Sequence, residues 1–412
     1  MEQIHFTIEN TQLSANSKLV ENILKGLDFL PYLQDKKGLL FSNTVLDSFI
    51  EKEAKHNVQT LTTKENRSIR TLSSGEQKKA LLNYLLQQKP DFLILDSPFE
   101  SLDTQAVSNL KTHLITLSSD IIFIQIFNRK DEILPIITHV LEIENDKITE
   151  SIPLDTYQFK EIDFSFKGEV PKPITFYKDI PEQLISLQDV NVSYDDRSIL
   201  NNINWTIHKN EFWHLIGPNG SGKTTILSMI YGNNVKAFRQ EVYLFGKKKG
   251  SGESVWEIKE KIGYFSPAIL ELFKRRITVA HMVLSGFFDS VGLYETPSTL
   301  QIKVANEWLQ LLNLESKKNT PFNNLTTAEQ RLVLIARSMI KHPPLLILDE
   351  PLINLDNQGT SIIVSLINKI VAESDTTILF VSHRPVKDLH PNFIFELTPT
   401  KKGSIGNVKT AD

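Results

Sequence analysis

The residues best suited to chemistry are Gly217, Pro218, Asn219, Gly220, Ser221, Gly222, Lys223 and Thr224. They form a GxxxxGKT run between an apolar strand, Phe212 to Ile216, and a helix continued by Thr225. Glycines at this spacing let consecutive backbone N–H groups close around a phosphate, and the helix N-terminus adds a favourable dipole. In that setting Lys223 is expected to reach the β- and γ-phosphates of ATP, and Thr224 to hold Mg²⁺. Asp349 and Glu350 close the apolar run Leu345-Leu-Ile-Leu. Asp349 is expected to hold the same Mg²⁺ through water, and Glu350 to orient or deprotonate the attacking water. His383 follows another apolar run, Phe380-Val-Ser, and is expected to contact the γ-phosphate and position Glu350. Tyr194 ends an early strand, where an aromatic ring could stack on adenine. The basic run Gly246-Lys-Lys-Lys-Gly250 reads as a solvated hairpin.

The elements that must position these residues are written twice in the chain. Leu72-Ser-Ser-Gly-Glu-Gln77 is followed by a helical stretch, then Phe92-Leu-Ile-Leu-Asp96-Ser-Pro98 and Ser101-Leu-Asp103. Leu325-Thr-Thr-Ala-Glu-Gln330 is followed in the same order by Leu345-Leu-Ile-Leu-Asp349-Glu-Pro351 and Asn354-Leu-Asp356. The 21-residue separation of Gly75 from Asp96 recurs between Ala328 and Asp349. Ser73 with Glu76, and Thr326 with Glu329, have the spacing of a capping box. The helices that follow are amphipathic, as in Leu81, Leu82, Leu85 and Leu86, and stop before Pro90 and Pro343. Short apolar runs ending in an acid, alternating with helices, imply buried parallel strands in a doubly wound α/β core.

The bulk numbers bound the rest. A chain of 412 residues suits two or three domains. The motifs and their unequal spacing set residues 1–149 as a reduced N-terminal half and 184–412 as the complete half, with 150–183 a proline-bearing linker (Pro153, Pro171, Pro173, Pro181). A net charge of −4 disfavours nucleic acid as a partner. The absence of cysteine excludes disulfides, thiolate metal sites and a Cys nucleophile. No leader peptide is read at the N-terminus, and no apolar run has the length to span a bilayer. Any membrane role is expected to come through a partner, with the chain cytoplasmic or peripheral on the inner face of the membrane.

Leu-Ser-Ser-Gly-Glu-Gln, the phosphate-binding loop and Leu-Leu-Ile-Leu-Asp-Glu-Pro together resemble the ATP-binding-cassette (ABC) ATPases. The stretches Asp195-Asp-Arg-Ser-Ile-Leu-Asn-Asn, Leu244 to Lys259 and Leu284 to Tyr294 resemble the ModF/PhrA group of two-cassette proteins. Members of that group are described as molybdenum-transport ATP-binding or photorepair proteins. The resemblance covers residues 184–400 well and 65–145 moderately. It implies two P-loop NTPase cassettes that pack head to tail, each ATP lying between the P-loop of one cassette and the signature of the other.

On that geometry the departures sort onto one site. The first half has no GxxxxGK, Ser97 follows Asp96 where a base is expected, Asn128 takes the place of the switch histidine, and Ala328 replaces the signature glycine. The other site keeps every part, with Ser73, Gly75 and Glu76 expected at its γ-phosphate. One hydrolytic site per chain follows, driving closure and reopening of the halves. Pairing of two chains as a homodimer is a poorer arrangement, because the Ala328 signature would then serve both sites. The glutamine that reports nucleotide state to a membrane partner is missing near Ser266-Pro267. A permease-coupled transport subunit is the leading reading. A soluble repair, stress or translation ATPase, or a weakly hydrolysing regulator, stands against it.

Overall fold

The structure, a computed structural model, describes residues 3–10, 13, 18–26, 33–56, 59–61, 67–159, 164–195, 197–272 and 277–410. The chain divides into two compact units, Met1–Glu161 and Ile162–Asp412. The first contains β1 (Phe6–Glu9), α1 (Leu19–Leu24), β2 (Gly38–Phe41), α2 (Asn43–His56), α3 (Ser74–Gln87), β3 (Phe92–Asp96), α4 (Thr104–Leu117), β4 (Ile122–Phe127), β5 (His139–Glu144) and β6 (Lys147–Pro153). The second begins with β7 (Gln183–Tyr194), β8 (Arg197–His208), β9 (Phe212–Ile216), α5 (Lys223–Ile230), β10 (Glu241–Leu244), β11 (Lys247–Lys248), α6 (Val255–Glu260) and β12 (Ile262–Phe265). It continues through α7 (Val279–Leu284), α8 (Thr299–Leu311), α9 (Thr327–Met339), β13 (Leu345–Asp349), α10 (Asn357–Glu373), β14 (Thr377–Ser382), β15 (Phe393–Thr398) and β16 (Ile405–Thr410).

Each unit is built on a six-stranded sheet. The orders are β2-β3-β4-β1-β5-β6 and β12-β13-β14-β9-β15-β16. In both, five strands run parallel and the last strand turns back antiparallel. The continuously apolar strands are explained by burial on both faces. In β13, Leu346 and Leu348 pack into the core beneath α7–α10, while Leu345 and Ile347 pack against α5 and β7–β8. In β3, Leu93 and Leu95 face α3 and α4, and Phe92 and Ile94 face the opposite way. Both anticipated capping boxes form, at Ser73 with Glu76 on α3 and at Thr326 with Glu329 on α9.

Residues that carry little sequence signal complete the first sheet. β1 sits between β4 and β5, as β9 sits between β14 and β15. The second unit adds an antiparallel sheet, β11-β10-β7-β8, and helix α8, neither of which has a counterpart among the described residues of the first. Within the segment read as a linker, Phe166 and Val170 are buried in the core of the second unit, and the Val170 N–H donates to Glu373.

The basic run 246–250 needs a correction. Lys247 and Lys248 are solvated on the β10–β11 hairpin, but Lys249 is buried and pairs with the buried Glu253 carboxylate at 3.4 Å. The Gly250 N–H donates to the same carboxylate at 2.7 Å, which folds the loop back on itself. Lys249 is therefore a structural cation that shapes the loop.

Candidate nucleotide site

The loop from β9 to α5 forms one wall of a cleft of about 590 Å³ in the second unit. Two glycines are required for its shape. Gly222 has φ +96°, and a Cβ there would lie 2.5 Å from Leu200 Cδ2. A Cβ on Gly217 would lie 2.7 Å from Ser221 Oγ and 3.0 Å from the Leu397 carbonyl. With these side chains absent, Pro218 to Thr225 line the cleft together with Tyr194, Asp349, Glu350 and His383. Gly217 stands just behind them and accepts a hydrogen bond from Lys223 Nζ at 2.6 Å.

β13 and β14 deliver the acidic and imidazole groups. Their register pairs Asp349 with Val381, and Glu350 N–H continues the ladder by donating to the Val381 carbonyl at 3.0 Å. Glu350 takes the left-handed conformation, φ 51°, which turns it off the strand at the cleft edge. Lys223 Nζ lies 3.0 Å from His383 Nδ1. A lysine ammonium only donates, so Nδ1 is the accepting nitrogen and the ring hydrogen belongs on Nε2. That Nε2 is 3.2 Å from Glu350 Oε1, close but not aligned as a hydrogen bond, leaving a buried carboxylate oxygen unmet.

Burial pushes the Glu350 carboxyl up to about 8, against the opposing pull of Lys223 and with help from Asp349. Burial also raises Asp349, opposed by a hydrogen bond from Tyr264 at 3.2 Å and by Lys223. A carboxyl poised near neutrality beside a phosphate-binding loop is what a general base needs.

The loop before the cleft is braced from behind by His214, on β9. Burial lowers its imidazole to about 4, so it stays neutral and its Nε2 lies 2.7 Å from Ser382 Oγ. Ser382 Oγ in turn donates to the Arg384 carbonyl at 2.6 Å, fixing the turn that presents His383. Sequence reasoning passed over His214, Ser382, Tyr264, Arg197 and Arg331. A polar residue inside the apolar run Phe-Trp-His-Leu-Ile was the available signal for His214. Nothing local marks the others.

The donor set fits ATP with Mg²⁺. Ser221 Oγ is buried within the loop with no partner, a hydroxyl awaiting an acceptor. Thr224 and Asp349 both line the cleft. Among the described residues no group of three or more His, Cys, Asp or Glu could hold a metal by itself. A cation held here would be shared between these two side chains and phosphate oxygens, the usual coordination of Mg²⁺. Tyr194 is half-exposed at the cleft edge; its hydroxyl accepts from Asn234 at 3.1 Å and Lys236 Nζ lies 5.6 Å from its ring centre.

Ser73, Gly75 and Glu76 belong to the first unit. They form the N-terminus of α3. Ser73 caps the helix, its backbone N–H donates to the Glu76 carboxylate at 2.9 Å, and that hydrogen bond holds Glu76 below the usual carboxylate range. A Cβ on Gly75 would lie 3.2 Å from Ala106 Cβ.

Residues 200–353 match the ABC transporter family model. The chain is 35% identical over 332 residues to the ABC transporter ATP-binding protein ModF of Escherichia coli (strain K12), covering 77% of this chain and 68% of that protein. It is 32% identical over 325 residues to the uncharacterized ABC transporter ATP-binding protein C323.04 of Schizosaccharomyces pombe, covering 77% and 66% respectively. The chain thus spans about two thirds of the length of these relatives. Among solved structures, cbiO1 of Clostridium perfringens, part of the ABC transporter complex cbiONQ, aligns with 56% of this chain and 89% of its own at 23% identity and a TM-score of 0.49. With the phosphate-binding loop and its acidic and imidazole partners assembled in one cleft, and relatives of this extent, the chain belongs to the ABC transporter ATP-binding proteins, a family of ATPases.

Proposed function

We propose that the second unit binds ATP with Mg²⁺ in the described cleft, and that the first unit supplies the signature Ser73 to Gln77 that completes the site for hydrolysis. The observation that carries this reading is the juxtaposition of Lys223, His383 and Glu350 in one cleft, His383 lying 3.0 Å from Lys223 Nζ and 3.2 Å from the buried Glu350 carboxylate. The distribution of losses supports it as well. The unit that retains the Gly75 signature lacks the phosphate loop, and the unit that retains the phosphate loop carries Ala328.

In this mechanism the loop amides and Lys223 receive the β- and γ-phosphates, Lys223 leaving the Gly217 carbonyl for them. Thr224 and Asp349 would hold Mg²⁺, which would neutralise phosphate charge there. Tyr194 stacks on adenine. Glu350 takes the proton of the attacking water, while His383 holds Glu350 through its Nε2 hydrogen and meets the γ-phosphate. Ser73 Oγ and the α3 N-terminus add donors to the transferring phosphoryl group. Gly75→Asp places a carboxylate against that phosphate. Steady-state turnover should disappear while a fluorescent ATP analogue still binds; undiminished turnover would sink the shared site.

The ModF name of one relative suggests that the chain energises transport of a molybdate-like oxyanion through a separate membrane-spanning partner at the cytoplasmic face. No helix of the described residues is long and apolar enough to cross a membrane, so a permease would be another chain. One observation favours a soluble ATPase instead: the cleft wall where a transport-coupling glutamine is expected carries Ser266 and Pro267. Affinity purification from native membranes separates the two, a permease favouring transport and its absence favouring the soluble role. Pairing of two chains as a homodimer is read out by mass photometry with and without ATP in the Glu350→Gln variant.

A further inference from the structure

We propose that Arg331 is a positioning residue of the ATPase site, its guanidinium taken up during turnover by backbone carbonyls of the loop Glu350 to Ile353, fixing Glu350 against the attacking water. The proposal rests on Glu350 acting as the base. Arg331 is 4% exposed and lines the cleft beside Glu350, Ile353 and Asn354. Its Nε and Nη1 are buried and make no hydrogen bond. The guanidinium lies 5.5 Å from the Phe265 ring centre, a stacking contact that leaves in-plane donors unmet. A buried charge with unused donors is an unfavourable state that needs a second arrangement to justify it. Both atoms are withdrawn from solvent in the cleft wall, which favours acceptors supplied by the protein.

The first unit shows which acceptors. Lys78 follows Gly75 by three residues, as Arg331 follows Ala328. Its buried ammonium donates to the carbonyls of Pro98 at 3.0 Å and Glu100 at 2.8 Å, and reaches that of Ser97 at 3.5 Å. The same offset maps these carbonyls onto Pro351, Ile353 and Glu350. The two loops share a backbone course: φ is 45° at Ser97 and 51° at Glu350, then 59° at Ser101 and 61° at Asn354. The frame is common, and the difference is whether the cation is engaged. In the first unit it clamps a loop that carries no base. In the second the base is present and the clamp stands open.

The test compares Arg331→Met, Arg331→Lys and Glu350→Gln in the full chain. Arg331→Met should lower kcat by on the order of tenfold to a hundredfold through misplacement of the base. KM for ATP, and affinity for a fluorescent ATP analogue, should stay within about twofold. The nucleotide-free Tm should not fall, because an unmet buried charge is removed. Arg331→Lys should recover most of kcat, since Lys78 makes the same bonds. An unchanged kcat in Arg331→Met overturns the proposal. So does a loss expressed in KM and analogue affinity, which would make Arg331 a phosphate ligand. A destabilised or insoluble Arg331→Met would assign it to packing, and a Lys variant as inactive as the Met variant would exclude donation to the loop. Undiminished turnover in Glu350→Gln would instead remove the reading beneath the proposal, independently of every Arg331 variant.

Discussion

Two sites occupy the same place in the two sheets and have opposite chemistry. After β9, β13 and β14 stand Gly217, Glu350 and His383; after β1, β3 and β4 stand Asn10, Ser97 and Asn128. The register confirms the match, since Glu9 pairs with Phe127 at the ends of β1 and β4 as Ile216 pairs with Ser382 at the ends of β9 and β14. In the second unit the three positions hold a buried carboxyl, an imidazole and, through the loop, an ammonium. In the first they form a neutral chain: Asn10 Nδ2 donates to Asn128 Oδ1 at 2.7 Å, and Asn128 Nδ2 donates to Ser97 Oγ at 3.1 Å. The Ser97 hydroxyl donates on to Asp96 Oδ1 at 3.2 Å; neutral amides and a hydroxyl linked in this way need no phosphate to balance them, whereas buried charges need a partner. The strand order therefore survives the loss of the site, because it is held by the apolar faces and not by the polar tips.

The largest effect expected from breaking this comparison is Glu350→Gln, which should reduce kcat by about 10²- to 10⁴-fold while ATP binding persists. Steady-state hydrolysis and analogue binding check it. The pH dependence of kcat/KM comes next. The proposed base, Glu350, raised to about 8, is mostly protonated at neutral pH, so the free-enzyme rate should climb about tenfold between pH 7 and pH 9 and the limb should vanish in Glu350→Gln.

Installing Ser97→Glu with Asn128→His makes the first unit look like the second without its phosphate loop. In a Glu350→Gln background this variant should recover no turnover. It should lower stability by about 1–3 kcal/mol, measured by chemical denaturation, because a new carboxylate is buried beside Asp96 where Lys78 is already engaged by the loop carbonyls. Lys78→Met should remove a fully engaged cation and cost about 1–3 kcal/mol by the same measurement, unlike its counterpart on α9.

The smallest effect is a linkage. The folded Glu350 carboxyl is raised above its unfolded value, so the folded state holds a proton that the unfolded chain releases. Its penalty is absent at acid pH and grows as pH rises from the ordinary carboxylate range toward about 8. Glu350→Gln removes that penalty, and its Tm advantage over the parent should widen by about 2–4 °C between about pH 5 and pH 8.

Much of this was legible before any coordinates. The phosphate loop, Asp349, Glu350 and His383 announce themselves because their chemistry depends on residue type and local spacing, and the cleft brings them together. The duplicated Asp96 and Asp349 strands were readable because a strand buried on both faces must be continuously apolar. β1 and β2 were not readable, because four-residue strands such as Phe-Thr-Ile-Glu carry no pattern of their own; β1 gains stability only between partners more than a hundred residues away, and β2 only along the edge of β3. Lys249 was misread for a related reason: whether a cation in a basic run is solvated depends on Glu253 folding back over it.

The sequence by itself determined the phosphate-loop residues, the repeat and which unit carries the proposed base, since these follow from residue identity along short stretches. Only the tertiary structure decided that Asn10, Asn128 and Ser97 form a hydrogen-bonded chain ending on Asp96, that His214 and Ser382 hold the turn behind His383, and that Lys78 is engaged while Arg331 is not. The reason is physical. Burial and hydrogen-bond satisfaction are set by what surrounds a side chain in space, and the groups that satisfy or orphan these residues come from strands and loops far away along the chain.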